Sequence, residues 1–261
     1  MIPFFQIEGW VLGPIVIQSW GLMVALGIVA AVILADQYAK KLFLSRQVIW
    51  DIAWWSLVGG LIGARLFYIL FYNLEYYIHN WPATLYFWQG GASSFGGFVG
   101  AWAALTIFAK ARHFTFRELK PYIDIFSLGL WLGWAIGRSG CFLIHDHPGQ
   151  LSNFFLAVQF SSGARHDLGL YEALLALFIF LVFWRLFKRL AKTGWGKVAL
   201  YSWAAYSVGR FGLDFLRATD LPGSDQRFAF LTLTQWLIIL FWLALTAFLI
   251  WGKMKRRKLT D

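Results

Sequence analysis

Charge is what this sequence has least of. Only 14% of its 261 residues are Asp, Glu, Lys or Arg and 59% are hydrophobic, whereas a water-soluble domain carries about a quarter charged residues. So little charge excludes a soluble surface for a chain of this size. Cysteine is almost missing too. Cys141 stands alone, which excludes a disulfide framework and a multi-cysteine metal centre. The first stretch, Met1–Val16, has two prolines and no Lys or Arg, unlike a cleaved signal peptide, and reads as a short segment lying at the surface. No internal repeat or low-complexity linker divides the chain, so residues 1–261 are expected to form a single membrane domain.

What is present is apolar length. A spanning helix needs about 20 mostly apolar residues. Seven stretches qualify: Ile17–Ala35, Val48–Phe71, Gly96–Ala111, Tyr122–Leu143, Gly169–Phe187, Val198–Leu216 and Leu231–Trp251. The expected fold is all-α: a polytopic integral membrane protein with seven transmembrane helices and small extracytoplasmic elements. The longest outer segments, Leu74–Phe95 and Ile144–Leu168, are expected to form a cap or side opening.

Basic residues set the orientation, because loops rich in Lys and Arg stay in the cytoplasm. They cluster at Lys40–Arg46, Lys110–Lys120, Arg185–Lys197 and Lys253–Lys258, and together these hold 17 of the 23 basic residues, including every lysine. The N-terminus is therefore expected outside and the C-terminus in the cytoplasm. The net charge of +10 would suggest nucleic acid in a soluble protein; here it is mainly a topology signal, and no nucleic-acid partner is expected.

Six basic residues remain, all arginine: Arg65, Arg138, Arg165, Arg210, Arg217 and Arg227. The topology puts them in or near the outer half, with Glu172 and Asp214 at the same depth. An intramembrane charge costs a few kcal/mol or more and by default marks a function. The plainer account is that these arginines reach up to headgroups or pair with Glu172 and Asp214 to fix helix packing. Arg138 and Arg210 favour the functional account, since both are flanked by glycines that admit a neighbouring helix or a ligand. Guanidinium forks bind phosphate bidentately. The residues thus suit an anionic phospholipid headgroup or an anionic permeant; the absence of inverted repeats disfavours a transporter.

Four segments carry further information. Trp88-Gln-Gly-Gly-Ala-Ser-Ser-Phe-Gly-Gly-Phe-Val-Gly100 is expected to fold back to membrane depth as a loop lining a cavity. The others are Gly137-Arg-Ser-Gly-Cys-Phe-Leu-Ile-His-Asp-His-Pro-Gly149, Arg165-His-Asp-Leu-Gly-Leu-Tyr-Glu172 and Tyr206-Ser-Val-Gly-Arg-Phe-Gly-Leu-Asp-Phe-Leu-Arg-Ala-Thr-Asp220. His145-Asp146-His147 has metal-ligand spacing, but surface hydrogen bonding is the simpler reading and no metal is expected. Cys141 reads as a small buried residue.

In this order and spacing the segments resemble the prolipoprotein diacylglyceryl transferase family, with supporting matches at Trp20-Gly-Leu-Met23, Gly63-Ala-Arg-Leu-Phe-Tyr68, Phe71-Tyr-Asn73, Asp124 and Gln235. The resemblance implies an enzyme of the bacterial cytoplasmic membrane. Such an enzyme moves a diacylglyceryl group from phosphatidylglycerol to the lipobox cysteine thiol in the signal peptide of a prolipoprotein. A thioether forms, glycerol phosphate leaves and no cofactor is needed. It implies Arg138 and Arg210 on the departing phosphate, with Arg65 and Arg217 assisting. Glu172 and Asp214 would orient the arginines, while Gly96, Gly97 and Gly149 would belong to the substrate site. Asp146 stands where the family has Glu, and Phe95, Cys141 and Trp20 replace a family His, Asn and Tyr. Without that His, the thiol's proton would pass to the outer trio His145, His147 and His166, together with Asp146; of the three, His166 matches a family position. Two alternatives stay open: a paralogue with another acceptor, or a phospholipid-binding membrane protein without catalysis.

Overall fold

Every one of the seven apolar stretches forms a helix. The computed structural model describes residues 1–13, 15–86, 90–222, 224 and 227–257; Trp88 and Gln89 of the glycine-rich segment and Lys258 of the basic tail lie outside them. The helices are α1 (Ser19–Lys41), α2 (Arg46–Tyr72), α3 (Leu74–His79), α4 (Ser94–Ala111), α5 (Phe116–Ile144), α6 (Leu168–Thr193), α7 (Lys197–Leu213) and α8 (Leu233–Arg257). Four of them, α1, α2, α5 and α6, are long and apolar enough to cross a membrane; α4 and α8 contribute shorter apolar stretches. The chain is thus a mostly helical membrane protein, and the count of seven crossings goes further than length and apolarity carry it.

The fold is also not purely helical. Strands β1 (Ile2–Pro3), β4 (Pro148–Leu151), β5 (Val158–Phe160) and β6 (Gly163–Asp167) make one sheet in the order β1-β5-β6-β4. Strand β1 runs parallel to β5, and the other pairs are antiparallel. Two hairpins, β2 (Gly9–Leu12) with β3 (Ile15–Gln18) and β7 (Arg227–Phe228) with β8 (Leu231–Thr232), are the other paired strands among the described residues. At two to five residues, these strands are too short to leave an alternating pattern in the sequence.

Local signals place the helix starts. Thr115 and Glu118 form a capping box at α5: the Thr115 N–H donates to Glu118 Oε2 at 2.7 Å and the Glu118 N–H to Thr115 Oγ1 at 3.4 Å. Thr232 and Gln235 do the same at α8, at 2.9 and 3.2 Å. Asp167 caps α6 by accepting from the Leu170 N–H at 2.9 Å.

The chain forms two compact units, Met1–Ala31 with Ser127–Asp261 and, separately, Val32–Phe126. In the second, α2 and α4 meet through glycines four residues apart, Gly59 and Gly63 against Gly96 and Gly100. A Cβ on Gly63 would lie 2.6 Å from the Gly100 Cα, so only glycine permits this approach. In the first unit the glycines beside Arg138 and Arg210 also serve helix packing. A Cβ on Gly140 would lie 3.1 Å from the Trp20 Cα, and one on Gly209 would lie 2.7 Å from the Leu175 side chain.

Candidate active site

Glu172 lies in the second turn of α6 with its side chain fully buried. Two guanidiniums reach it from different helices. Arg138, near the end of α5, places Nε 2.9 Å from Glu172 Oε2, and Arg210, in the last turn of α7, donates Nη1–H to Glu172 Oε1. Arg210 also pairs with the buried Asp214, Nη2 to Oδ1 at 3.0 Å, and Arg217 donates Nε–H to the same oxygen at 2.9 Å. Thr232 Oγ1–H donates to Asp214 Oδ2 at 2.8 Å, while Gln235 Nε2–H ties α8 to the Phe211 carbonyl at 2.9 Å.

This arrangement has a direction. The carboxylates are fully buried, whereas the Arg138 and Arg217 side chains keep 20% and 21% exposure. Three guanidiniums against two carboxylates leave one positive charge over. Buried charges need partners, so the carboxylates hold the arginines in place and the surplus makes the open side attractive to an anion. Arg138 also lies over the Trp134 ring, 5.3 Å from its centroid, and Nη1 approaches Cys141 Sγ at 3.7 Å.

The turn after α5 separates the three outer histidines. His145 is buried, with Nδ1 2.6 Å from Asp167 Oδ2 and the rings of Phe4, Phe5, Phe142 and Phe160 around it. It is a strut joining α5 to the α6 cap; burial pushes the Asp167 carboxyl up, against the opposing pull of the His145 hydrogen bond. His166 Nδ1 hydrogen-bonds the Tyr171 hydroxyl at 2.8 Å, and burial lowers its pKa. His147 is different. Its Nε2 lies 3.7 Å from Asp146 Oδ2, and it senses the charges of Arg138, Arg217 and Arg210. Burial pushes Asp146 up and His147 down, each toward its neutral form.

Cys141, Asp146 and His147 present ligand atoms within 4.8 Å of one another, the spacing of a metal site. The Arg138 contact with the sulfur and the surrounding guanidiniums make this a poor place for a divalent cation and a better one for proton transfer beside an anion.

Gly149 sits where β4 passes residues 216–217. A Cβ there would lie 2.9 Å from the His166 Cβ, and Arg165 Nη1–H donates to the Gly149 carbonyl at 3.0 Å. Gly149 is therefore a close-packing position. Arg165 also forks onto Asp220 at 3.0 and 2.5 Å, which holds that carboxyl below the usual carboxylate range.

Arg65, Gly96 and Gly97 belong to the other unit. Arg65 uses all five of its N–H groups on carbonyls: Nε on Thr84 at 3.0 Å, Nη1 on Gly90 and Gly91 at 2.5 and 2.9 Å, and Nη2 on Ala83 and Tyr86 at 2.6 and 3.3 Å. Gly96 and Gly97 correct the expected cavity-lining loop. From Ser94 onward the segment is helical, Ser93 caps it by accepting from the Gly96 N–H at 3.4 Å, and its glycines face α2. Phe95 is exposed, with its ring against Phe67.

Sequence reasoning missed Thr232 as a partner of Asp214 and Trp134 as the platform under Arg138. The first had a signal, the Thr-x-x-Gln start of α8. The second had none, because a tryptophan four residues before an arginine is unremarkable in a chain with 16.

Comparison with known proteins identifies the family. The family described as prolipoprotein diacylglyceryl transferase matches residues 9–251. A Pseudomonas paraeruginosa protein named phosphatidylglycerol–prolipoprotein diacylglyceryl transferase is 31% identical over 97% of this chain and 96% of its own length. Proteins of the same name from Pseudomonas putida and Methylococcus capsulatus are 31% and 32% identical, covering 92% and 90% of this chain and 91% and 92% of their own. The chain belongs to the prolipoprotein diacylglyceryl transferase family.

Proposed function

We propose that this protein transfers the diacylglyceryl group of phosphatidylglycerol to the lipobox cysteine thiol of prolipoproteins in the bacterial cytoplasmic membrane. It would cross that membrane seven times, with its N-terminus outside, its basic C-terminus in the cytoplasm and no cofactor. The carrying observation is the surplus guanidinium charge held by Glu172 and Asp214. When thiolate sulfur bonds to the glycerol carbon and the C–O bond breaks, the electron pair leaves on the phosphate. Its charge rises from one negative to two. Cations already fixed beside it stabilise that change more than they stabilise the intact lipid, which is what speeds the step. Arg138 and Arg210 are assigned to the phosphate and Arg217 to its rim, with Glu172 and Asp214 as positioning residues. Arg65 is assigned to shaping the chain around Gly90 and Gly91, and Gly96, Gly97 and Gly149 to close packing. His166 and Asp146 border the acceptor side.

The test is complementation of a transferase-depleted bacterium, read as lipidation of a reporter lipoprotein. The expected result is restored lipidation; expressed protein that leaves the reporter unmodified would overturn the assignment.

A further inference from the structure

Transfer to a thiol needs somewhere for the thiol proton to go, and the titratable groups around the arginine cluster narrow the choice. Glu172 lies between Arg138 and Arg210, and Asp214 between Arg210 and Arg217. Both are fully buried and their oxygens are taken up by guanidinium and hydroxyl contacts, which leaves neither an open face toward an arriving thiol. His145 is enclosed by phenyl rings and bound to Asp167. His166 is joined to Tyr171. His147 alone among the described histidines combines a partly open side chain, 34% exposed, with the field of all three arginines. A resident thiol marks the geometry: Cys141 Sγ already sits within 4.8 Å of a His147 ring nitrogen and an Asp146 oxygen, with Arg138 upon it.

Resting on the transferase reading, we propose that His147 is the general base of this enzyme, with Asp146 as its positioning residue. The acceptor S–H gives its proton to an imidazole nitrogen, and the thiolate attacks the glycerol carbon. The C–O electron pair departs with glycerol phosphate, and the imidazolium passes its proton to that phosphate or to water.

Charge supports the role. The groups facing His147 are Asp146 on its own turn, Cys141 and Arg138 from α5, Arg210 from α7 and Arg217 just beyond α7. Burial and the three cations disfavour a positive charge on the ring, which Asp146 only partly offsets, and so favour the neutral imidazole, the form that can take a proton.

The experiment follows transfer from phosphatidylglycerol vesicles to a lipobox peptide across pH for the wild type and His147→Ala. Without a base, the rate tracks the free thiolate, about 1% of a thiol with a pKa of about 8.5 at pH 6.5. The expected loss is therefore about 100-fold at pH 6.5, narrowing roughly tenfold per unit and nearly gone by about pH 9. Added imidazole should restore part of the low-pH rate. A variant that is merely misfolded loses the same fraction at every pH and gains nothing from imidazole, and that result overturns the role of His147. So does a variant with wild-type rates throughout, which leaves the transferase assignment standing. A wild type that transfers nothing in this assay overturns both.

Discussion

Arg65 in one unit and Arg210 in the other are both nearly buried, 4% and 7% exposed, yet their partners differ. The Arg65 fork ends on five main-chain carbonyls, all neutral and all fixed in direction. The Arg210 fork ends on two carboxylates, which it shares with Arg138 and Arg217. A guanidinium saturated by carbonyls organises backbone and has no donor left for a ligand. One that shares carboxylates with other guanidiniums stays within a cluster of surplus charge, part of it open. Partner type, more than burial, separates the arginine that organises backbone from those that the proposed function assigns to an anion.

The largest effect expected from this contrast is at Arg138 and Arg210. Replacing either with Lys keeps the charge and removes the planar fork. Turnover should fall about 100- to 1000-fold, the range seen when one fixed transition-state donor is lost, with expression and membrane insertion retained. Full activity in both variants would put them in the same class as Arg65.

An intermediate effect is expected from Glu172→Gln. It raises the cluster's surplus from one positive charge to two while nearly preserving shape. Glycerol phosphate should inhibit this variant more strongly than the wild type, and turnover should drop about tenfold as product leaves more slowly. Weaker inhibition would mean that Glu172 does more than balance charge.

The smallest effect on the chemistry is expected from Arg65→Lys. An ammonium has three donors where the fork has five, so at least two carbonyls lose their partner at about 1–3 kcal/mol each if they stay buried. Limited proteolysis near Gly90 and Gly91 should speed up several-fold, with inhibition by glycerol phosphate unchanged. A change in that inhibition would break the distinction drawn between the two arginines.

Much of this was legible in the residues. Apolar runs marked every described α-helix except the short α3, because their length needs no context, and the clustering of every lysine in four basic stretches set the six remaining arginines apart. Arg138, Glu172, Arg210, Asp214 and Arg217 stood out because charge in an apolar run is costly. Other features depend on partners that the sequence does not reveal. Arg65 carries the same local signal as Arg210, and only the carbonyls facing it decide its role. Gly96 and Gly100 read as loop glycines until Gly59 and Gly63 lie against them. The three outer histidines were equivalent by spacing, and only the phenyl cage around His145, the Tyr171 contact of His166 and the arginine field at His147 tell them apart.

The carboxylates behind the arginines also bear on entropy. A free arginine side chain carries about 2 kcal/mol of rotamer entropy, and a site that had to order three of them around each arriving headgroup would lose much of its affinity to that ordering. Glu172 and Asp214 hold Arg138, Arg210 and Arg217 in place when the chain folds. Under the proposed function, the ordering is thus completed once per molecule instead of once per turnover, and each lipid would meet a receptor that is already rigid.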